Sequence, residues 1–253
     1  MRTVDKLRTL VADALGELDL AAELGSLAEP IRYAVGGKLI RPVLCLATAE
    51  ALGLEPEEAL PAALAVELVH SFSLVHDDLP ALDDDERRRG KPTVHAEFGE
   101  RTAILVGDAL LTEAFRLMAE SDRPEPVREL SVATLRMIGG QHLDFEGGAR
   151  REDVHRLKTG ALFEAPVACA LALAEVAEAE RRPWLAFATE VGLLFQVVDD
   201  ILDADGFVDE RGPEGARALA EEHAARAHAF LEEVDVETSV LATIVDAVAT
   251  RTV

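Results

Sequence analysis

The chain has 253 residues, 49% of them apolar and only 4% aromatic, and carries a formal net charge of −23. That length suits one large domain over residues 1–253, and an excess of Ala, Leu, Glu and Arg over β-branched residues favours helix almost throughout. So negative a chain argues against nucleic acid or an anionic membrane as partner, since both need a basic field.

Helical periodicity recurs from end to end, and no stretch alternates with period two for long enough to make a sheet. The first predicted helix, 3–19, is amphipathic and sprinkled with acids, without the apolar core of a signal peptide. "GGKLIRP" follows: Gly36 and Gly37 permit close backbone approach, and Pro42 suits the first position of a helix over 42–53. Lys38 and Arg41 then flank a helix N-terminus, where free N–H groups favour an anion, an ordinary helix-start loop being the alternative. Cys45 here, like Cys169 later, sits in an apolar run as a buried thiol of a reduced, cytoplasmic compartment rather than in a disulfide.

The helix over 56–78 is stopped by Pro80, so Asp77 and Asp78 fall in its last turn, and His70, Ser73 and Asp77 share a face. His70, mid-helix among apolar neighbours, reads by itself as a satisfied core histidine. The continuation "HDDLPALDDDERRRGKPT" adds Asp83, then Arg88 and Arg89, which are either forks for phosphate oxygens or surface partners of the acids at 83–86.

Helices over 100–120 and 124–146 come next, the second ending in "GGQHLDFEG", where Gln141 and Asp144 lie one turn apart. They face a metal or a phosphate-bound water, or form a polar helix face. A helix over 152–181 takes Lys158 and Thr159 of "RLKTG" into an apolar run, of which the longest unbroken piece, 165–174, is about half a membrane span. No membrane insertion is expected. The helix over 183–205 sets Gly192, Gln196, Asp199 and Asp203 along one face, with Asp200 beside them and Gly206 as the stop. Helices over 213–233 and 236–250 complete the chain.

Two core helices thus end in carboxylates, where the helix dipole is negative and each exposed charge costs roughly 0.3–1 kcal/mol. A bound cation compensates. The donors are oxygen only, with no Cys or His cluster and no twelve-residue calcium loop, which points to magnesium held between carboxylates and substrate phosphates. Only four of the 25 basic residues are lysines, and three of those, Lys38, Lys91 and Lys158, stand in these motifs.

Taken together, "GGKLIRP", "HDDLPALDDDERRRGKPT", "GGQHLD", "LKTG" and "FQVVDDILD" resemble, in order and spacing, the trans-isoprenyl diphosphate synthases, from about Tyr33 to Asp205. The resemblance implies an all-α isoprenoid-synthase bundle around a central cavity, and a homodimer. It also implies that Asp77, Asp78 and Asp83, with Asp199, Asp200 and Asp203, hold three Mg²⁺ ions (Mn²⁺ being a substitute) on the allylic diphosphate. Arg88 and Lys158 would touch that group. Lys38, Arg41, His70 and Arg89 would bind isopentenyl diphosphate, and Thr159 and Gln196 would face the developing carbocation.

The implied reaction is ionisation of dimethylallyl or geranyl diphosphate, attack by isopentenyl diphosphate, and proton loss to give (E,E)-farnesyl diphosphate. Phe72, about 7.5 Å down the helix from Asp77 by axial rise, is an aromatic where the family places a chain-length floor, although the helical wheel puts Ser73 more nearly beneath Asp77. A core aromatic is the plainer reading of Phe72. The chain departs from the family after Asp205, where "GFVDERGPEGARALAEE" lacks the usual lysine, leaving Arg211 or Arg217 as substitutes. The alternatives are a geranyl or geranylgeranyl diphosphate synthase, or a non-catalytic partner subunit. A terpene cyclase has no need of a second diphosphate pocket, and an acidic calcium-binding protein leaves the glycine loop unexplained.

Overall fold

The computed structural model describes residues 1–120, 123–148 and 150–251. Its helices are α1 (Val4–Gly16), α2 (Ala28–Ala34), α3 (Ile40–Ala51), α4 (Pro56–Asp77), α5 (Val94–Phe98), α6 (Glu100–Ala119), α7 (Pro124–Glu146), α8 (Arg151–His155), α9 (Ala161–Leu173), α10 (Arg182–Asp203), α11 (Phe207–Glu232) and α12 (Ser239–Ala249). The all-α expectation holds. The exception to it is a two-residue hairpin, β1 (Arg87–Arg88) paired antiparallel with β2 (Lys91–Pro92).

At the centre runs α4, packed against α3, α6 and α9. Its start combines Pro56 in the first turn with a reciprocal cap between Glu55 and Glu58, a residue choice that satisfies orphan N–H groups. The same helix is long and apolar enough to cross a membrane by composition, and here 67% of that stretch is buried inside the bundle. On another side α10 lays its apolar face against α11 and α9, with Phe187, Val191 and Leu194 fully buried.

Several boundaries differ from the sequence pattern, each for a local reason. α3 begins at Ile40, behind Leu39 in the left-handed region at φ 53°, so Pro42 is its third residue rather than its first. The helix expected over 152–181 runs through α8 and α9 but ends at Leu173, and between them Arg156–Gly160 forms a π turn. Gly140 makes room for that wider turn: a Cβ there would lie 2.4 Å from the Lys158 amide nitrogen. α10 stops at Asp203 with Ala204 as a left-handed cap, two residues before Gly206. α11 starts at Phe207, six residues before the expected 213, and breaks at Gly212 (φ 73°). The short helices α2 and α5 were too brief to show a period.

Candidate active site

One cavity of about 1050 Å³ opens among α3, α4, α7, the π turn and α10. Seven of its lining residues are Lys or Arg and four are Asp or Glu, although the chain as a whole carries −23. The pocket is therefore locally cationic within an acidic molecule, with carboxylates set among the cations. Lys38, Arg41, His70, Phe72, Ser73 and Asp77 line it, as do Arg88, Arg89, Lys158, Thr159, Gln196, Asp199 and Asp203.

Three predicted ligands do not line it. Asp78 caps α4 at 3% exposure, and its Oδ1 accepts from Arg88 Nε at 2.6 Å. Asp200 is 4% exposed and accepts from the Phe207 amide at 2.9 Å and from Gln196 Nε2 at 2.8 Å. Both carboxylates are spent on holding the fold, so the second aspartate of each Asp-Asp pair is an anchor. Asp83 is exposed, with its backbone amide donating to the Asp77 carbonyl at 2.9 Å.

Asp77, Asp199 and Asp203 remain as the carboxylates that face the cavity from the two acid clusters. Burial pushes the Asp77 carboxyl up to about 6, against the pull of Lys158, and the Asp83 charge adds to the rise. Asp199 is likewise raised by burial, which outweighs the relief from Arg251. Carboxylates partly withdrawn from water in this way can hold a cation. Among the described residues no three His, Cys, Asp or Glu side chains converge to hold an ion alone. An all-oxygen set of that kind suits magnesium, which fills its shell with waters and substrate phosphate.

The cationic side is built by close backbone packing. Arg89 and Gly90 both have positive φ, the requirement of the tight two-residue turn between β1 and β2. Arg89 Nη1 donates to the Gly36 carbonyl, and a Cβ on Gly37 (φ 122°) would strike its guanidinium. Lys91 is used elsewhere: its ammonium donates to the Tyr33 carbonyl at 2.5 Å and sits 3.9 Å from that ring's centroid. Arg41 is buried, stacked 4.4 Å from the Phe163 ring centroid, and donates to His70 Nε2 at 3.4 Å. Burial brings Arg41 down to about 10, and burial together with Arg41 lowers His70 well below its ordinary value, so His70 is a neutral acceptor.

On the π turn, Lys158 pairs with Asp144 at 2.8 Å, and Thr159 Oγ1 donates to Gln196 Oε1 at 3.2 Å. A hydrogen-bond chain thus runs from Thr159 through Gln196 and Asp200 to the Phe207 amide, fixing two polar groups against the cavity. Gln141 also lines the cavity, with both amide atoms buried and unpartnered among the described residues.

Two of the charged lining residues that sequence reasoning missed bear directly on the site. Arg251, beyond α12, pairs with Asp199 and lies 4.7 Å from the Phe195 ring centroid. The substitutes considered earlier do not reach the cavity; Arg211 borders a separate one. A signal for Arg251 did exist, since it is the sole Lys or Arg after Arg226 in an acidic tail. The chain's last two residues, 252–253, lie outside the described residues. Glu67 is the second of these, a charge among apolar residues of α4 that also lines the cavity.

The chain is similar to known proteins over most of its length. The family model described as polyprenyl synthetase matches residues 25–223. A geranylgeranyl diphosphate synthase of Cyanophora paradoxa is 43% identical over 193 residues, covering 69% of this chain and 64% of that protein. The farnesyl diphosphate synthase of Geobacillus stearothermophilus is 38% identical over 251 residues, 85% of this chain and 84% of its own. Among solved structures, the apo FPP/GFPP synthase of Zymomonas mobilis superposes with a TM-score of 0.88 at 32% identity, over 97% of this chain and 98% of that one.

Proposed function

The chain belongs to the polyprenyl synthetase family, and from that premise we propose that it is a short-chain trans-prenyltransferase. It joins isopentenyl diphosphate to dimethylallyl or geranyl diphosphate, giving farnesyl diphosphate and releasing diphosphate. The observation that carries this reading is a cavity with a cationic surplus and inward-facing carboxylates in a chain of −23. Two anionic substrates need that local field, and an apolar channel below it must keep water from the cation.

Asp77, Asp199 and Asp203 would hold magnesium, with the exposed Asp83 tied to Asp77 through its backbone amide. When bound, the metal supplies charge withdrawal from the allylic diphosphate. Arg88 and Lys158 orient that diphosphate, while Lys38, Arg41 and Arg89 hold the isopentenyl diphosphate beside it, with His70 keeping Arg41 in place. Thr159 and Gln196, locked by Asp200, turn oxygen dipoles toward the carbon that loses its leaving group. The departing diphosphate takes the final proton, so no protein base is needed.

Phe72 lines the cavity at 7% exposure and stacks edge-on against His76 at 4.9 Å, a wall suited to stopping growth at farnesyl length. A geranylgeranyl product is the second reading, favoured by the Cyanophora paradoxa relative. The exposed apolar faces of α6 and α7, including Leu105 and Leu135 at 55% and 69%, support a homodimer. Incubation with Mg²⁺, isopentenyl diphosphate and each allylic diphosphate in turn tests the assignment. Farnesyl diphosphate is the expected main product; absence of any prenyl product refutes the reading.

A further inference from the structure

Glu67 has no task in this scheme, and its surroundings are unusual. It sits mid-way along α4 at 2% exposure, yet it lines the cavity beside Arg41, His70 and Arg89. Among the described residues no side chain hydrogen-bonds or ion-pairs with its carboxylate, which opens on the cavity and feels Arg41 and Arg89 only at longer range. From α3 it faces Arg41, from the hairpin Arg89, and on its own helix His70. Arg41 cannot swing across to it without giving up the Phe163 ring and the His70 bond.

A buried carboxylate without donors is costly, and burial pushes Glu67 up to about 7 in spite of both arginines. Bringing a diphosphate to the same cations sharpens the conflict, because two anions would then share one set of partners. A neutral carboxyl group removes it. The acid form has an O–H to donate, and a diphosphate oxygen held by Arg41 and Arg89 is an acceptor for it.

We propose that Glu67 is a further binding residue of the isopentenyl diphosphate pocket: as the ligand enters, one Glu67 oxygen takes a proton from solvent, and the resulting acid donates a hydrogen bond to the diphosphate. This rests on the assignment of Lys38, Arg41 and Arg89 to that diphosphate. Binding then consumes a proton at Glu67, and rising pH weakens it.

Isopentenyl diphosphate alone does not react, so its binding can be titrated calorimetrically in two buffers of different ionisation enthalpy. At pH 7.5 the wild type should take up about half a proton or more beyond that taken up by Glu67→Gln, whose amide donates without titrating. Above pH 7 the wild-type affinity should fall relative to the variant by up to about tenfold per pH unit. Equal proton uptake and parallel pH profiles would overturn the proposal. If Glu67→Gln does not fold, difference infrared spectroscopy of the wild type serves instead. A protonated-carboxyl band must appear when isopentenyl diphosphate is added, and its absence overturns the proposal. Absence of any binding heat in both proteins, together with no product from any allylic diphosphate, marks failure of the functional reading itself.

Discussion

The ends of α4 and α10 present the same sequence device, an Asp-Asp pair closing an apolar helix, and stabilise it by different means. At the end of α4 the second aspartate, Asp78, is held by a charge from the β1–β2 hairpin, Arg88, which is itself about a third exposed. At the end of α10 its counterpart, Asp200, is held by uncharged donors, the Phe207 amide and the Gln196 side chain. The first aspartates differ as well: Asp199 pairs with Arg251, whereas Asp77 has only the longer-range pull of Lys158 and, more weakly, of Arg88. A buried aspartate held by a partly exposed charge and one held by uncharged donors keep the same orientation with unequal sensitivity to change.

The largest contrast should come from Asp77. Asp77→Asn is expected to lower turnover by about 10²–10³, as loss of a preorganised charge does, while making the metal-free fold more stable. The sign follows from its pKa, which rises from 3.8 unfolded to about 6 folded. Between those values the folded state binds the extra proton, so wild-type stability falls as pH rises and the full cost is present above about 6. Denaturant titration in chelator at pH 8 should show a gain on the order of 2 kcal/mol for the variant, vanishing towards pH 4. A loss of stability at pH 8 would mean that Asp77 already has an adequate partner.

The anchors should differ next. Asp200→Ala leaves a buried amide unpaired and should cost about 1–3 kcal/mol. It should also lower kcat by releasing Gln196 and Thr159. Asp78→Ala frees an arginine that can turn to water, and should cost about 1 kcal/mol or less. Equal losses in chemical denaturation would erase the distinction drawn here.

Phe72→Ala, one turn and a half below Asp77, should leave the rate of the first condensation largely intact and shift products beyond farnesyl length. Chromatography of the dephosphorylated alcohols reads this directly, and an unchanged distribution removes Phe72 as the floor. The smallest effect is expected at Arg251, which pairs with Asp199 and, on the proposed reading, competes there with metal. Arg251→Gln should lower the Mg²⁺ concentration for half-maximal rate by about two- to fivefold, the worth of a modest ion pair.

What could be read in advance was whatever a helix fixes by spacing. Gln196, Asp199 and Asp203 share a face because 3.6 residues make a turn, and all three reach the cavity. Which member of each Asp-Asp pair turns inward depended on partners outside the helix, the hairpin arginine and the amide that opens α11, and spacing alone could not supply them. Glu67 and Arg251 enter the site through packing between distant segments, one hidden in an apolar run and the other beyond α12. The π turn left no periodic trace because it occupies a single turn, and the hairpin is too short to alternate.

That wide turn has one more consequence. Arg156–Gly160 lies within a helix otherwise continuous from α8 to α9, so it amounts to one surplus residue in a straight rod. The wider turn absorbs that residue, so deleting it would restore ordinary winding, keep α8 and α9 in register, and re-aim only the side chains of the turn itself. Lys158 and Thr159, which sit on that turn, would leave their places at the cavity wall while α8 and α9 kept theirs. A one-codon loss could thereby turn a catalyst into an inert look-alike with its scaffold intact, a route by which silent companions of such enzymes can arise without touching any aspartate.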